Sequence, residues 1–333
     1  MRAILGGVVA LALVSESAAV AACTAKVVGN DFVIDGCNLV VRNGSGSTAT
    51  VNGLGNVIIG YDAPNTVDGF PKGKTGSHNL VVGDEHSYTS SGGVVTGFQN
   101  AIAGPSANVL GGRLNRSTGP YANVTGGQYG QAVGGSSMVL GGWANEARAN
   151  FTTAAGGSYN VATSSSGDPF AASYSVVVGG TGSTASGDGS AVIASLGSIA
   201  SGYDSLVVGG SNNQAQDGAL VCGGNENVGV GGVAMFNGDA NTGAGSFTTV
   251  VGGYHNNATG QWATVLGGYE NLASGDWSTV SGGLNNTASA DHATVSGGQL
   301  NEADWYASTV SGGAQVNAPN STSSWAAGSY HSP

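Results

Sequence analysis

Between Phe247 and Ser321 the chain repeats itself five times at a period of 15 residues: FTTVVGGYHNNATGQ, WATVLGGYENLASGD, WSTVSGGLNNTASAD, HATVSGGQLNEADWY and ASTVSGGAQVNAPNS. One apolar column returns in every copy, at Val250, Val265, Val280, Val295 and Val310, and a glycine pair such as Gly252-Gly253 or Gly267-Gly268 follows it. An alanine recurs eight residues after each valine, at Ala258, Ala273, Ala288, Ala303 and Ala318. A unit this short cannot enclose a core by itself. Each copy has to lie on the next, which is the condition for a solenoid.

The spacing within a copy predicts the shape of the coil. Thr248, Ala263, Ser278, Ala293 and Ser308 stand two positions before the valines, so both columns share one face of a strand. The glycine pair permits a turn at positive φ, and a second short strand then carries the alanine inward. Two strands of about four or five residues, with two turns, use up the period. The expected fold is all-β: a parallel β-solenoid of roughly 18 to 20 coils with 14–15-residue repeats, about 90 Å long. Asn271, Asn286 and Asn301, joined by Asn256 and Asn145, fill one turn column. Their side chains can bond to one another or to the turn backbone along the axis.

The columns on either side of the valine must face away from the interior. One holds Thr249, Thr264, Thr279 and Thr294, but also Met138, Val176, Leu206 and Leu220. The other holds Leu110, Leu140, Val178, Ile193, Val208, Cys222, Phe236, Val251 and Leu266. A lone soluble rod does not normally display such a stripe. Parallel rods pairing along it would form a cyclic homo-oligomer, with Cys222 a small apolar residue in the contact.

Taken from its start, the chain opens with a segment that reads as a secretory signal peptide, residues 1–22: Arg2, the apolar run Ala3 to Val14, and the small residues Ala19-Val20-Ala21. Val20-Ala21-Ala22-Cys23 also fits a lipobox, which would attach the protein through Cys23. The competing expectation is a disulfide between Cys23 and Cys37, suited to an exported chain. Residues 23–90 are read as capping and irregular coils, interrupted by a loop at 62–76. Residues 91–333 are read as regular repeats with an insertion near 164–172 that contains Gly167, Asp168 and Pro169. The apolar column is traced through Val57, Leu80, Val94, Val109, Val124, Val139, Ala154, Val177, Val192, Val207, Val221 and Met235.

Composition narrows the function classes. Glycine supplies 61 of 333 residues, charged residues are 8%, the formal net charge is −11, and no Lys or Arg follows Arg148. Contact with DNA, RNA or an anionic membrane through phosphate neutralisation is excluded. Catalytic signatures are missing as well. The glycine pairs precede neither a helix nor a lysine, and no Ser-His-Asp set has supporting context, so no enzyme is expected.

The stretch SVVVGGTGSTASGDGSAVIASLGSIASG, from Ser175 to Gly202, resembles the head repeats of trimeric autotransporter adhesins, the YadA-like group. Their coils follow Ser-Val-Ala-Ile-Gly with a Ser and an Ala-Ser-Gly turn, and the likeness runs from about Ser91 to Ser321. It implies a left-handed parallel β-roll assembled as a homotrimer on a bacterial surface, binding host matrix or other cells. The chain departs from that group in having a 15-residue repeat where 14 is usual, and it shows no heptad stalk or C-terminal membrane-barrel strands. Residues from Asn52 to Asn100, with GLGNVIIGYD and GSHNLVVGDEHSY, also resemble uncharacterised exported bacterial repeat proteins.

Few residues stand out as binding candidates. His78, Asp84, Glu85 and His86 lie close enough in sequence to hold a divalent ion. Asp276 and Asp291 fall in register on adjacent coils, where calcium could bridge them. No other cofactor is suggested. Phe247, Trp262, Trp277 and His292 open four consecutive copies, and Tyr254 and Tyr269 follow glycine pairs. Such rows can stack on sugar rings or peptide, or serve only to protect strand edges. The threonine column also raises ice binding. Together these features point to a secreted or surface-attached, non-catalytic homotrimer acting in adhesion or as an extracellular structural element, with matrix, glycan or a neighbouring cell as partner. Its rivals are a self-assembling fibre subunit and a polysaccharide-active β-helix enzyme.

Overall fold

The computed structural model describes residues 23–166, 173–318 and 320–328. The signal-peptide segment, residues 1–22, lies outside them, as do Gly167, Asp168 and Pro169 of the insertion. The chain forms two units, Met1–Val41 and Arg42–Pro333.

In the first unit, Thr24–Val28 pairs antiparallel with Asp31–Asp35. Gly29, at φ 61°, sits with Asn30 in the two-residue turn between them. This corrects the expectation that the chain already coils here. A Gly-Asn pair between two apolar runs is a hairpin signal, and it outweighs the apolar content of the flanks. A Cys23–Cys37 disulfide with a Cα–Cα distance of 5.0 Å brackets the hairpin.

The second unit is an all-β parallel solenoid of about 16 coils, with no helix among the described residues. Its first wall, the valine wall, runs from Val57–Ile59 to Trp325–Ala326 in unbroken parallel pairing. The second, the alanine wall, has 15 strands from Ser87–Tyr88 to Glu302–Ala303. Most strands span two or three residues, shorter than the spacing suggested. The residues saved form a third bridging position at the turn between the walls, where single residues pair in parallel, as in Asp239↔Tyr254↔Tyr269↔Leu284.

The five valines of the repeat are fully buried, as are Ala258, Ala273, Ala288 and Ala303. The coil therefore closes over one layer of side chains from each wall, small in the five copies; where Met235 takes the valine position, Gly229 on the opposite wall leaves it room. The second glycine of each pair is required by stacking. A Cβ on Gly268, at φ 90°, would lie 2.3 Å from the carbonyl oxygen of Gly283 on the next coil.

At the N-terminal end the apolar column was traced one residue out of phase. Ile58, Val81 and Val95 align with Val109, while Val57, Leu80 and Val94 align with Asn108 and face outward. Runs such as Leu80-Val81-Val82 are apolar at both phases of the pleat, so alternation alone cannot choose between them. The inward residues two positions earlier, Asn56 and Asn79, settle the phase: Asn79 donates its backbone N–H to the Asn56 Oδ1 at 2.9 Å. The loop at 62–76 leaves the stack after Ile59 and is tied back to it. Lys74 Nζ reaches Asp62 Oδ1 at 2.7 Å, and Tyr88, buried in the first coils, donates its hydroxyl to Asp62 Oδ2 at 2.9 Å.

Candidate functional surfaces

The asparagine column is an internal ladder. Asn271, Asn286 and Asn301 are buried, and each takes three kinds of bond. Asn286 donates Nδ2 to Gly282 O at 2.9 Å on its own coil and to Gly298 O at 3.0 Å on the next. Its Oδ1 accepts the backbone N–H of Asn301 at 3.0 Å. The same pattern links Asn213, Asn227, Asn241, Asn256 and Asn271. Asn100, Asn115 and Asn160, not identified from the repeat, belong to it too. The missed signal is an offset: every ladder residue lies three positions after the stacked glycine, as Asn115 after Gly112 and Asn100 after Gly97. Buried amides this fully bonded cost nothing in unmet hydrogen bonds and hold successive coils in register.

The aromatic candidates separate into two rows, one at each end of the valine wall. Phe247, Trp262, Trp277 and His292 form one stack, with centroid spacings of 5.5, 4.3 and 6.3 Å and interplanar angles of 14°, 15° and 4°. Tyr254 and Tyr269 stack at 5.3 Å on the other turn. Ring planes in these rows lie nearly parallel, so each inner ring has its faces turned to its neighbours. Stacking a sugar ring needs a free face. The backbone adds a second reason to see a structural role. Trp262 and Trp277 sit at φ 56° and 61°, whereas glycine fills the same column at Gly189, Gly218 and Gly232. A left-handed residue costs about 1–2 kcal/mol, and a stacked pair returns about 0.5–1.5 kcal/mol. The ladder offsets its own backbone strain.

Two further aromatic groups were not found from sequence. Phe151 and Tyr174 stack at 5.3 Å. Trp143 meets Tyr129 edge to face at 5.1 Å and donates its indole N–H to the Tyr159 hydroxyl at 3.2 Å.

The four residues proposed to hold a divalent ion do not form a ligand set. Asp84 Oδ1 accepts the backbone N–H groups of Ala63 at 2.7 Å and Glu85 at 2.9 Å, which hold its carboxyl below the usual range. Glu85 Oε2 is taken by Gln99 at 2.8 Å and Thr66 at 3.0 Å, and its pKa is lowered in turn, chiefly by Gln99. His86 is buried and engaged at both ring nitrogens. Among the described residues no group of three or more His, Cys, Asp or Glu could hold a metal ion. Asp276 and Asp291 are likewise occupied. Each gives Oδ1 to a backbone N–H of the preceding coil, at Gln261 (2.8 Å) and Asp276 (3.0 Å).

What remains without a partner is the outer face of the valine wall. Leu140, Phe236 and Leu266 are 44, 39 and 50% exposed, and Leu206 and Leu220 are half-buried between their column neighbours. Cys222 is a free thiol within this stripe, in register with Val208 and Phe236. The stripe is most continuous from Met138 to Leu266. Leu110 precedes it beside the polar Asn108 and Asn123, and Thr279, Ser281, Thr294 and Ser296 follow it. No protein-family model matches the chain, and no curated protein matches it either.

Proposed function

We propose that this chain works by contact, as an extracellular β-solenoid that pairs with its own copies along the valine wall and serves adhesion or extracellular structure. The observation that carries the reading is the outward apolar stripe from Met138 to Leu266. These side chains lie outside a core already closed by the valines and alanines, so folding of the single chain does not need them. A homotrimer of parallel rods, as in the YadA-like adhesin heads that the repeats resemble, would bury the stripe around a common axis and leave the alanine walls outward. Export through residues 1–22 supports an extracellular site of action, and the Cys23–Cys37 disulfide suits an oxidising compartment. Attachment by lipidation would require the same Cys23 sulfur.

Light scattering on the chain from Cys23 onward tests the reading. A trimer is expected, and a monomer at micromolar concentration overturns it. Mild oxidation adds orientation: parallel, in-register copies bring Cys222 to Cys222 and should give a cross-linked pair that Cys222→Ser abolishes. Retention of trimers on matrix proteins or a glycan array supports adhesion. Filaments growing without ligand would favour the fibre subunit, and turnover of a polysaccharide would favour the enzyme.

A further inference from the structure

The ladder does not begin with an asparagine. Its first member is His86, three residues after Gly83, and the imidazole repeats two of the three asparagine bonds. Asparagine gives Nδ2–H to the carbonyl four residues back; His86 Nε2 lies 3.1 Å from Val82 O, also four back. Asparagine Oδ1 accepts the backbone N–H of the next ladder residue; His86 Nδ1 accepts that of Asn100 at 3.2 Å. A carbonyl only accepts and an amide N–H only donates. The ring is therefore neutral, with its proton on Nε2 and a bare Nδ1.

We infer that His86 makes the N-terminal coils acid-sensitive: a proton on Nδ1 would set one donor against another and unlink the coil of residues 80–88 from Asn100 and the ladder below. The coil at stake also carries the loop at 62–76. Gly73 O accepts from Tyr88 N and from Ser87 Oγ at 2.8 Å, Ala63 N donates to Asp84, and Thr66 donates to Glu85. Acid would thus loosen a coil and the loop fastened to it together, while the asparagine-linked body stands.

The surroundings favour the neutral ring. His86 is 1% exposed, and burial lowers its pKa. The Val82 carbonyl and the Asp84 carboxylate oppose this more weakly. From the loop, Asp62 and Lys74 are paired with each other. From the next coil the facing groups, Asn100 and Gln99, are neutral, and Glu85 is held by Gln99. The sign follows. The opened coil has the ordinary histidine pKa, about 6.5, and takes up the proton first. The closed coil keeps its full stability above that pH and loses it as the pH falls below.

Hydrogen exchange on the oligomer, corrected for the intrinsic pH dependence of exchange, tests this. Amides of residues 79–103 should lose protection below about pH 6.5, by at most about tenfold per pH unit, while those of 256–301 hold theirs. His86→Asn keeps both ladder bonds without a titrating ring and should abolish the pH dependence at 79–103. Loss of equal size in His86→Asn, or loss spread evenly along the solenoid, overturns the inference. So does an NMR tautomer assignment placing the His86 proton on Nδ1 at neutral pH.

Discussion

The two walls share an interior and differ in what they show outside. Inward, the valine wall mostly presents valine and a small residue and the alanine wall mostly alanine, with exceptions such as Met235 and Ile102; the coils share one interior layer. Outward, the alanine wall is mixed: Gln131, Glu146, Thr184, Gln214, Asn257, Thr287 and Glu302 share their column with Val161, Ile199, Val228 and Leu272, and Glu146 pairs with Arg148. On the opposite side, the matching positions of the valine wall are Met138, Val176, Leu206 and Leu220 in one column and Leu140, Val178, Ile193 and Val208 in the other. Neighbours on one strand thus answer to different constraints: Val207 serves the fold, and Leu206 is free to serve something else. An interior filled mostly by small residues leaves the outer columns open to selection for contact, and the valine wall is largely apolar in both of its outer columns where the alanine wall alternates apolar with polar.

The strongest test of the shared interior is the ladder, because each asparagine in it joins two neighbouring coils through buried bonds. Asn286→Ala removes the acceptor of Asn301 N–H and leaves the carbonyl of Gly282 unpaired inside the coil, while Gly298 O keeps only the Leu284 N–H at 2.9 Å. Each of these two stranded groups costs about 1–3 kcal/mol, so a loss of about 2–4 kcal/mol is expected in urea titration. Asn286→Asp should be nearly as harmful, since a carboxylate cannot donate to those carbonyls. A loss below about 1 kcal/mol for Asn286→Ala would mean that water enters the coil and that the ladder is not what holds the register.

Next in size is Val207→Ala, which removes two methyl groups from a fully buried site. About 2 kcal/mol is expected, from lost burial and a cavity that the stacked coils above and below cannot close. The effect should be the same in monomer and oligomer, because Val207 touches only the interior.

How far the walls could be read from sequence depends on how strictly each column is filled. From Val109 onward most inward positions are followed by a recognisable glycine pair, and the column was legible residue by residue, including the shortened interval between Val207 and Val221. At Val57, Leu80 and Val94 the flanks are as apolar as the core position, so the phase could not be chosen by hydrophobicity; it is carried by Asn56 and Asn79, whose role depends on a bond between coils. His86 was visible only as a titratable residue near acids. Its place in the ladder becomes plain once Gly83 and Gly97 are seen to stack, since the same three-residue offset then links it to Asn100. The aromatic rows were legible as columns, but the left-handed backbone that turns their faces toward each other was not, because positive φ at tryptophan has no local sequence signature.

The smallest expected effect on stability is the most informative about the outer face. Leu206 and Leu220 are in register on adjacent coils and point outward beside Val207 and Val221. Replacing both with serine should change the urea midpoint of the isolated chain by less than the equivalent of about 1 kcal/mol, as substitutions outside a core usually do. In the assembly the same change places hydroxyls in the middle of the stripe, where each copy would bury them without a partner. Light scattering should then show the mass falling toward that of a monomer, while the pair Gln131→Ser and Gln214→Ser on the alanine wall leaves it unchanged. If both walls respond alike, the contrast between them is one of composition only. If the leucine pair costs the monomer as much as Val207→Ala does, the stripe belongs to the core after all, and a reason for the apolar face must be sought within the single chain.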